Sequence, residues 1–570
     1  MPGSGGVAHR TPVDLPTKRL TTAPLGLLTA LALLAAWLLV APRTPDLAAA
    51  AYRVDLFKHL GLAVYDEHWY AGHDLPGYSV LFPPLAWLLG LRLAGGLCVL
   101  VSVLCFERLT LAVYGPVARW AAVAFAVAAV GDVWIGRMAF ALGVSFALAT
   151  ALAFARGRGL LAAVLAVLCA AASPVAGALL ALAALTLSLS RRSPRALLVI
   201  AAPTLVVVLL LGGLFPEGGS EPYPIVSFGA TAVVVVAFLL ALGREHRLLR
   251  LGGALYLAVC LVFLLFSSAM GSNIERYGVL LAGPLLLCAV LAQRTSGSEG
   301  PGEGDGRVSV APRSRGPGFV ALRLPPLAAL AFALWALWVV WGPVRETLAV
   351  AGNASTDAAY YTPVERFLEV HAQTPVRIEV PLTRSHWETA ELAPRVSLAR
   401  GWEKQLDTRY DRVLLRPGLN ASSYERWLHQ QAVAYVALPD TELDPSSARE
   451  GDLIRAGLPY LRQVFVSRHW RIYAVRAPTP LVSGRARLTT LGHESFDLAV
   501  PRPGSYVVRV RFTRYWTIVR GSGCVAPAPG GWTTIRTFTS APLLVRTEFS
   551  LWRALGWGNR CHLASSARLR

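Results

Sequence analysis

Residues 52–84 read YRVDLFKHLGLAVYDEHWYAGHDLPGYSVLFPP, and the acids and histidines Asp55, His59, Asp66, Glu67, His68, His73 and Asp74 crowd into them. Apolar runs flank this stretch in a chain of 570 residues that is 54% hydrophobic and only 15% charged. Mean hydropathy is +0.49, too apolar for a soluble protein of this length. Uninterrupted apolar runs recur, and only helices across a bilayer satisfy the backbone of such runs. The polar stretch is therefore a loop between membrane spans. About 36 residues separate the two runs, more than a connection needs, and loops of that size are usually functional or disordered. Val54, Leu56, Phe57, Leu60 and Leu62 suit an amphipathic helix on the membrane surface, and Trp69, Tyr70, Tyr78 and Trp87 suit its interface.

Working outward, the hydrophobic pattern predicts a polytopic α-helical membrane protein of about eleven spans, near 22–42, 79–106, 118–134, 138–155, 159–173, 174–190, 195–214, 225–243, 252–268, 277–293 and 322–342. Pro83, Pro84 and Arg92 interrupt the second, which a short re-entrant helix followed by a separate span would also explain. A tail (1–21) precedes the first span, which has no small-residue cleavage site after it and reads as retained. Basic residues gather in alternate connections, from Arg10, Lys18 and Arg19 to Arg156, Arg158, Arg191, Arg192, Arg244, Arg247 and the Gly/Ser/Pro-rich linker 294–320. By the positive-inside rule these are cytoplasmic, the outer loop is 43–78, and residues 343–570 lie outside the plasma membrane. The net charge of +20 thus orients the chain and does not imply nucleic acid.

The outer region divides in two. Between 343 and 478, β-rich runs such as VRIEVPL, AYVALPD and WRIYAV alternate with the helical TPVERFLEVHA and SYERWLHQQAV, the pattern of an α/β domain. From 479 to 570, SFDLAV, SYVVRVRF, TTIRTF and PLLVRTEF separated by Pro/Gly turns predict a β-sandwich. Cys524 and Cys561 lie in this region with no metal-ligand spacing around them, so a disulfide is expected there. The other five cysteines sit in apolar runs and read as small buried hydrophobes.

FKHLGLAVYDEHWYAGHDLPGYSVLFPPLAWLLG, GRMAFALG, SPVAG and GSNIERYGVLLAGPLL, with the long first outer loop and the C-terminal β-rich region, resemble an actinobacterial-type branch of the GT-C superfamily of membrane glycosyltransferases. The resemblance covers most of residues 20–345. It implies sugar transfer from a polyprenyl-phosphate donor to an envelope glycan or glycolipid, with a carbohydrate-binding role for the terminal β-sandwich. Such transfer needs a carboxylate to take the acceptor proton and cations to stabilise the departing phosphate. Asp55 is the expected base, with Asp66 and Glu67 as alternatives or metal ligands. Arg137 and Arg276 are the expected phosphate-binding cations. His68 and His73 would orient the acceptor or, with His59, hold a divalent metal, although no compact metal motif is present. Trp402, in SLARGWEKQLDTRYD, keeps polar company and is a candidate for stacking on an acceptor sugar. Structural roles stay open beside these: Asp55 paired with Arg53 or Lys58, Arg137 with Asp132, Arg276 with Glu275, and the histidines as packing. A lipid or sugar transporter and a non-catalytic glycan-binding scaffold are the rival readings. A transporter should show mid-membrane charges and related halves, and neither is visible.

Overall fold

The computed structural model describes residues 24–297, 324–557 and 561. The N-terminal tail and most of the linker lie outside them. The chain is a multi-pass membrane protein. Its membrane domain opens with α1 (Leu25–Val40), which meets α2 (Pro45–Leu60) at an 83° bend. Thr44 and Pro45 account for the restart, since proline at the first helical position gives up an N–H that has no partner there anyway. The run expected to span 79–106 is instead two helices, α3 (Phe82–Leu89) and α4 (Leu91–Tyr114). Gly90 divides them at φ +87°, a left-handed backbone that other residues avoid.

There follow α5 (Arg119–Trp134), α6 (Met138–Ala155), α7 (Gly159–Ala172), α8 (Pro174–Arg191), α9 (Ala202–Leu214, preceded by a π turn), α10 (Ile225–Ala241), α11 (Arg247–Leu265), α12 (Glu275–Gly297) and α13 (Pro326–Val350). Eight helices among the described residues are long and apolar enough to cross a bilayer. The apolar α1, α7 and α10, of 16, 14 and 17 residues, are shorter. Alanine-rich faces let the bundle close: Ala121, Ala122, Ala126, Ala166 and Ala176 are buried, and Phe106 stacks on Phe125 at 4.3 Å.

Two β-rich units sit on one end of the bundle, called here the head. The first is a five-stranded mixed sheet of order β4-β3-β5-β7-β6, built from β3 (Arg377–Glu379), β4 (Ser397–Leu398), β5 (Val433–Pro439), β6 (Leu461–Val466) and β7 (Trp470–Val475). β3 runs parallel to β4 and β5, with helices between them, and β7 is antiparallel to β5. The second has two antiparallel sheets. One is β10 (Gly504–Arg511), β13 (Trp532–Thr537) and β12 (Gly523–Pro527); the other is β11 (Trp516–Arg520), β14 (Leu543–Thr547), β9 (Ser495–Ala499) and β8 (Arg487–Leu491). Phe496, Leu498, Val508, Val510, Val525, Ile535, Leu543 and Val545 from both sheets make one apolar core. Cys524 and Cys561 are disulfide-bonded, with Cα atoms 5.0 Å apart, and the five free cysteines are buried or half-buried.

The head and the β-rich units are hydrogen-bonded together. Trp387 donates to the Arg43 carbonyl (3.0 Å), Gln405 to Ala269 (3.1 Å), Ser220 N to Thr408 Oγ1 (3.1 Å) and Tyr515 Oη to Leu214 (2.6 Å).

Candidate functional site

The short hairpin of β1 (Tyr65–Asp66) and β2 (His73–Asp74) turns the polar stretch into a plug between α2 and both β-rich units. Trp69 is fully buried, stacked on Tyr52 at 4.6 Å, and donates its Nε1 proton to the Thr389 carbonyl. Asp66 accepts from Tyr52 Oη (2.8 Å), the His68 N–H (3.1 Å) and His493 Nδ1 (2.8 Å). Burial opposes its charge, but His493, His73 and His68 outweigh it and hold the carboxyl well below the usual range. Glu67 accepts from Arg377 (2.6 Å) and Ser397 (2.9 Å), both fully enclosed. His68 donates to the Ala393 carbonyl and lies 3.9 Å from the His493 ring; burial, then His493, lowers it to about 4. His73 is buried beside Asp66 and is also pushed down by burial. Asp66, Glu67 and His68 fasten the plug to β3, β4 and the β8–β9 turn, and His73 packs within it against Asp66 and Trp69. All four are buried in that packing, and the carboxylates beside Arg137 and Arg276 are Asp46 and Asp132 instead.

Asp55 is placed elsewhere too. It is 42% exposed, with His59 Nδ1 at 3.5 Å, and faces neither Arg137 nor Arg276. Arg53 does not pair with it: its guanidinium meets Glu403 (3.0 Å) and lies 3.9 Å over the Tyr78 ring.

The carboxylate that does meet the cations is Asp46, in the first turn of α2. At 100° per residue, nine positions separate Asp46 from Asp55 by half a turn, so the two occupy opposite faces. Arg137 Nε is 3.7 Å from Asp46 Oδ2, and its Nη1 is 3.3 Å from Asp132 Oδ1 at the end of α5. Arg276, in the first turn of α12, donates to Asn273 Oδ1 and lies 4.9 Å over the Phe140 ring. Arg137, Asp132, Asp46 and Tyr78 are its charged and polar neighbours. The Nε atoms of both arginines are buried without a hydrogen-bond partner. Gly136 makes the junction possible. Its φ is +98°, and a Cβ there would strike the backbone of Asp46 and Leu47.

The rim of this site comes from the α/β unit and from the α9–α10 and α11–α12 connections. Lys404 is a charged neighbour of Glu221, which accepts from Ser272 Oγ (3.1 Å) and also neighbours Arg276 and Asp46. Burial raises the Glu221 carboxyl, against Lys404. Trp402, half-buried, stacks on His386 with ring centroids 3.5 Å apart and has Lys404 Nζ at 5.9 Å. His386 is in turn held by Asp444 at 3.3 Å.

Sequence reasoning missed Asp46, Glu221 and Lys404, while the pairing of Arg137 with Asp132 is as the sequence allowed. The signal for Asp46 was present: Thr-Pro-Asp directly after the first apolar run is a helix start, and it places a carboxylate nearer the membrane than Asp55. Among the described residues no group of three or more His, Cys, Asp or Glu side chains is arranged to hold a metal ion. The cation-rich surroundings of Asp46 do not suit one either, and no step is assigned to a metal here.

No family model matches the chain, and no curated protein matches it. Among solved structures it is similar to the arabinofuranosyltransferase AftD from Mycobacteria, at 18% identity and a TM-score of 0.45 over 85% of this chain. It is also similar to the oligosaccharyltransferase AglB from Archaeoglobus fulgidus, solved with an inhibitory peptide and a dolichol-phosphate, at 11% identity and a TM-score of 0.29 over 72% of this chain. The matched regions make up 42% of the AftD chain and 69% of the AglB chain.

Proposed function

We propose that the chain is a GT-C-type membrane glycosyltransferase that moves a sugar from a polyprenyl-phosphate donor to a cell-envelope glycan or glycolipid at the outer face of the plasma membrane. The observation that carries this reading is the convergence of Asp46, Arg137 and Arg276 at the head of the bundle, where both arginine Nε–H groups are buried without a hydrogen bond and the Asp46 carboxylate stands 3.7 Å from that of Arg137. A phosphate supplies oxygens for both, and charge-assisted bonds of this kind strengthen as the leaving phosphate gathers charge. Asp46 replaces Asp55 as the base that takes the acceptor hydroxyl proton. Asp132 positions Arg137, and Asn273 positions Arg276. The acceptor enters under the rim, with Trp402 offering a ring to a sugar face and Lys404 and Glu221 offering polar contacts.

The test uses full-length protein in nanodiscs with polyprenyl-phosphate-sugar donors and envelope glycans. Release of free polyprenyl phosphate that requires both substrates supports transfer. Movement of intact donor between leaflets without release would instead establish the transporter reading.

A further inference from the structure

The C-terminal unit ends in an apolar tongue that neither its core nor the site accounts for. Residues 549–557 read FSLWRALGW, and Leu551, Trp552, Leu555 and Trp557 are each more than 60% exposed. Single exposed apolar residues are ordinary, but a contiguous cluster holding two tryptophans marks an interaction surface. The tongue is built: Ser550 caps the Leu551–Ala554 turn, Arg514 donates to the Ala554 carbonyl (2.7 Å), Trp552 stacks on Trp557 at 4.9 Å, and Cys561 is bonded to Cys524 on β12.

Its position identifies what covers it. Phe549 packs on Phe215 and Tyr515, at 5.7 and 5.5 Å, and Tyr515 Oη donates to Leu214, the last residue of α9. The tongue thus sits at the end of a membrane-spanning helix, just beyond the lipid-facing Leu209 and Leu210, which are themselves exposed. Tryptophan and leucine at the end of a span are suited to the boundary between headgroups and acyl chains.

We propose that residues 549–557 form an interfacial anchor that inserts into the outer-leaflet headgroup region and holds the C-terminal sheets against the bilayer, continuing the lipid-facing surface of α9. The anchor needs only the membrane and does not depend on sugar transfer.

Phe538 provides a matched control. It is 57% exposed, and it hydrogen-bonds through its N–H to Ser522, just beyond the end of β11 away from Tyr515. Along β11, five residues at about 3.3 Å each separate it from Tyr515 by roughly 17 Å. Full-length protein carrying the photoreactive residue p-benzoylphenylalanine at 551, 555 or 538 is illuminated in nanodiscs of phosphatidylethanolamine and phosphatidylglycerol. Lipid adducts at 551 and 555 and none at 538 are expected. Absence of lipid adducts at both 551 and 555, or crosslinks there to a second copy of the chain, would overturn the anchor.

Discussion

Five carboxylates lie between residues 46 and 74, and their surroundings give them different work. Asp46 faces two guanidinium groups, Asp55 faces water and His59, and Asp66 and Glu67 bind partners hundreds of residues away, half-buried His493 and buried Arg377. Asp74 has only a long bond from Thr513 (3.5 Å), and burial pushes it up to about 7 against the charges of Arg514 and Arg409. The folded protein therefore keeps the Asp74 proton at pH values where the unfolded chain has lost it. Its contribution is full below the ordinary carboxylate range and is lost as the pH rises toward 7, on the order of 2–4 kcal/mol. Thermal denaturation at a series of pH values should show wild type losing stability from about pH 4 to 7, and Asp74→Asn should flatten part of that slope. Glu67→Ala leaves the buried Arg377 guanidinium without its counter-charge and should cost about 3–5 kcal/mol, read as a fall in melting temperature.

At the scale of elements, the apolar runs, the α/β alternation and the β-rich end were legible because each rests on a local period. What stayed hidden was which face of α2 meets the head. A period fixes the angle between Asp46 and Asp55 but not the direction in which either points. The polar plug misled for a related reason: Arg377, Ala393 and His493, which satisfy Glu67, His68 and Asp66, are more than 300 positions away and leave no trace in a local window. Gly136 gives this scale its own prediction. A side chain there would push α2's first turn and Asp46 away from Arg137, so Gly136→Ala should lower transfer by about 10²-fold while the protein stays folded. Trp402→Ala belongs here as well. If the rim holds the acceptor, the substitution should raise the acceptor KM by about tenfold and leave donor affinity unchanged, since stacking contacts are worth on the order of 1 kcal/mol.

For the whole molecule, the proposed orientation puts the head, the site and both β-rich units on the outer side of the membrane. A cysteine replacing exposed Arg468, between β6 and β7, should react with an impermeant maleimide in intact cells. One replacing Arg158, in the turn between α6 and α7 at the opposite end of the bundle, should react only after permeabilisation. The reverse pattern would invert the topology. The most direct test of the central claim compares two aspartates on one helix. Asp46→Asn keeps the shape and removes the base, so transfer from polyprenyl-phosphate-sugar should fall by about 10²–10⁴-fold with donor binding retained, whereas Asp55→Asn should transfer at the wild-type rate. Near-normal transfer by Asp46→Asn, or a comparable loss in Asp55→Asn, would contradict the assignment of the head site as the place where the sugar changes hands.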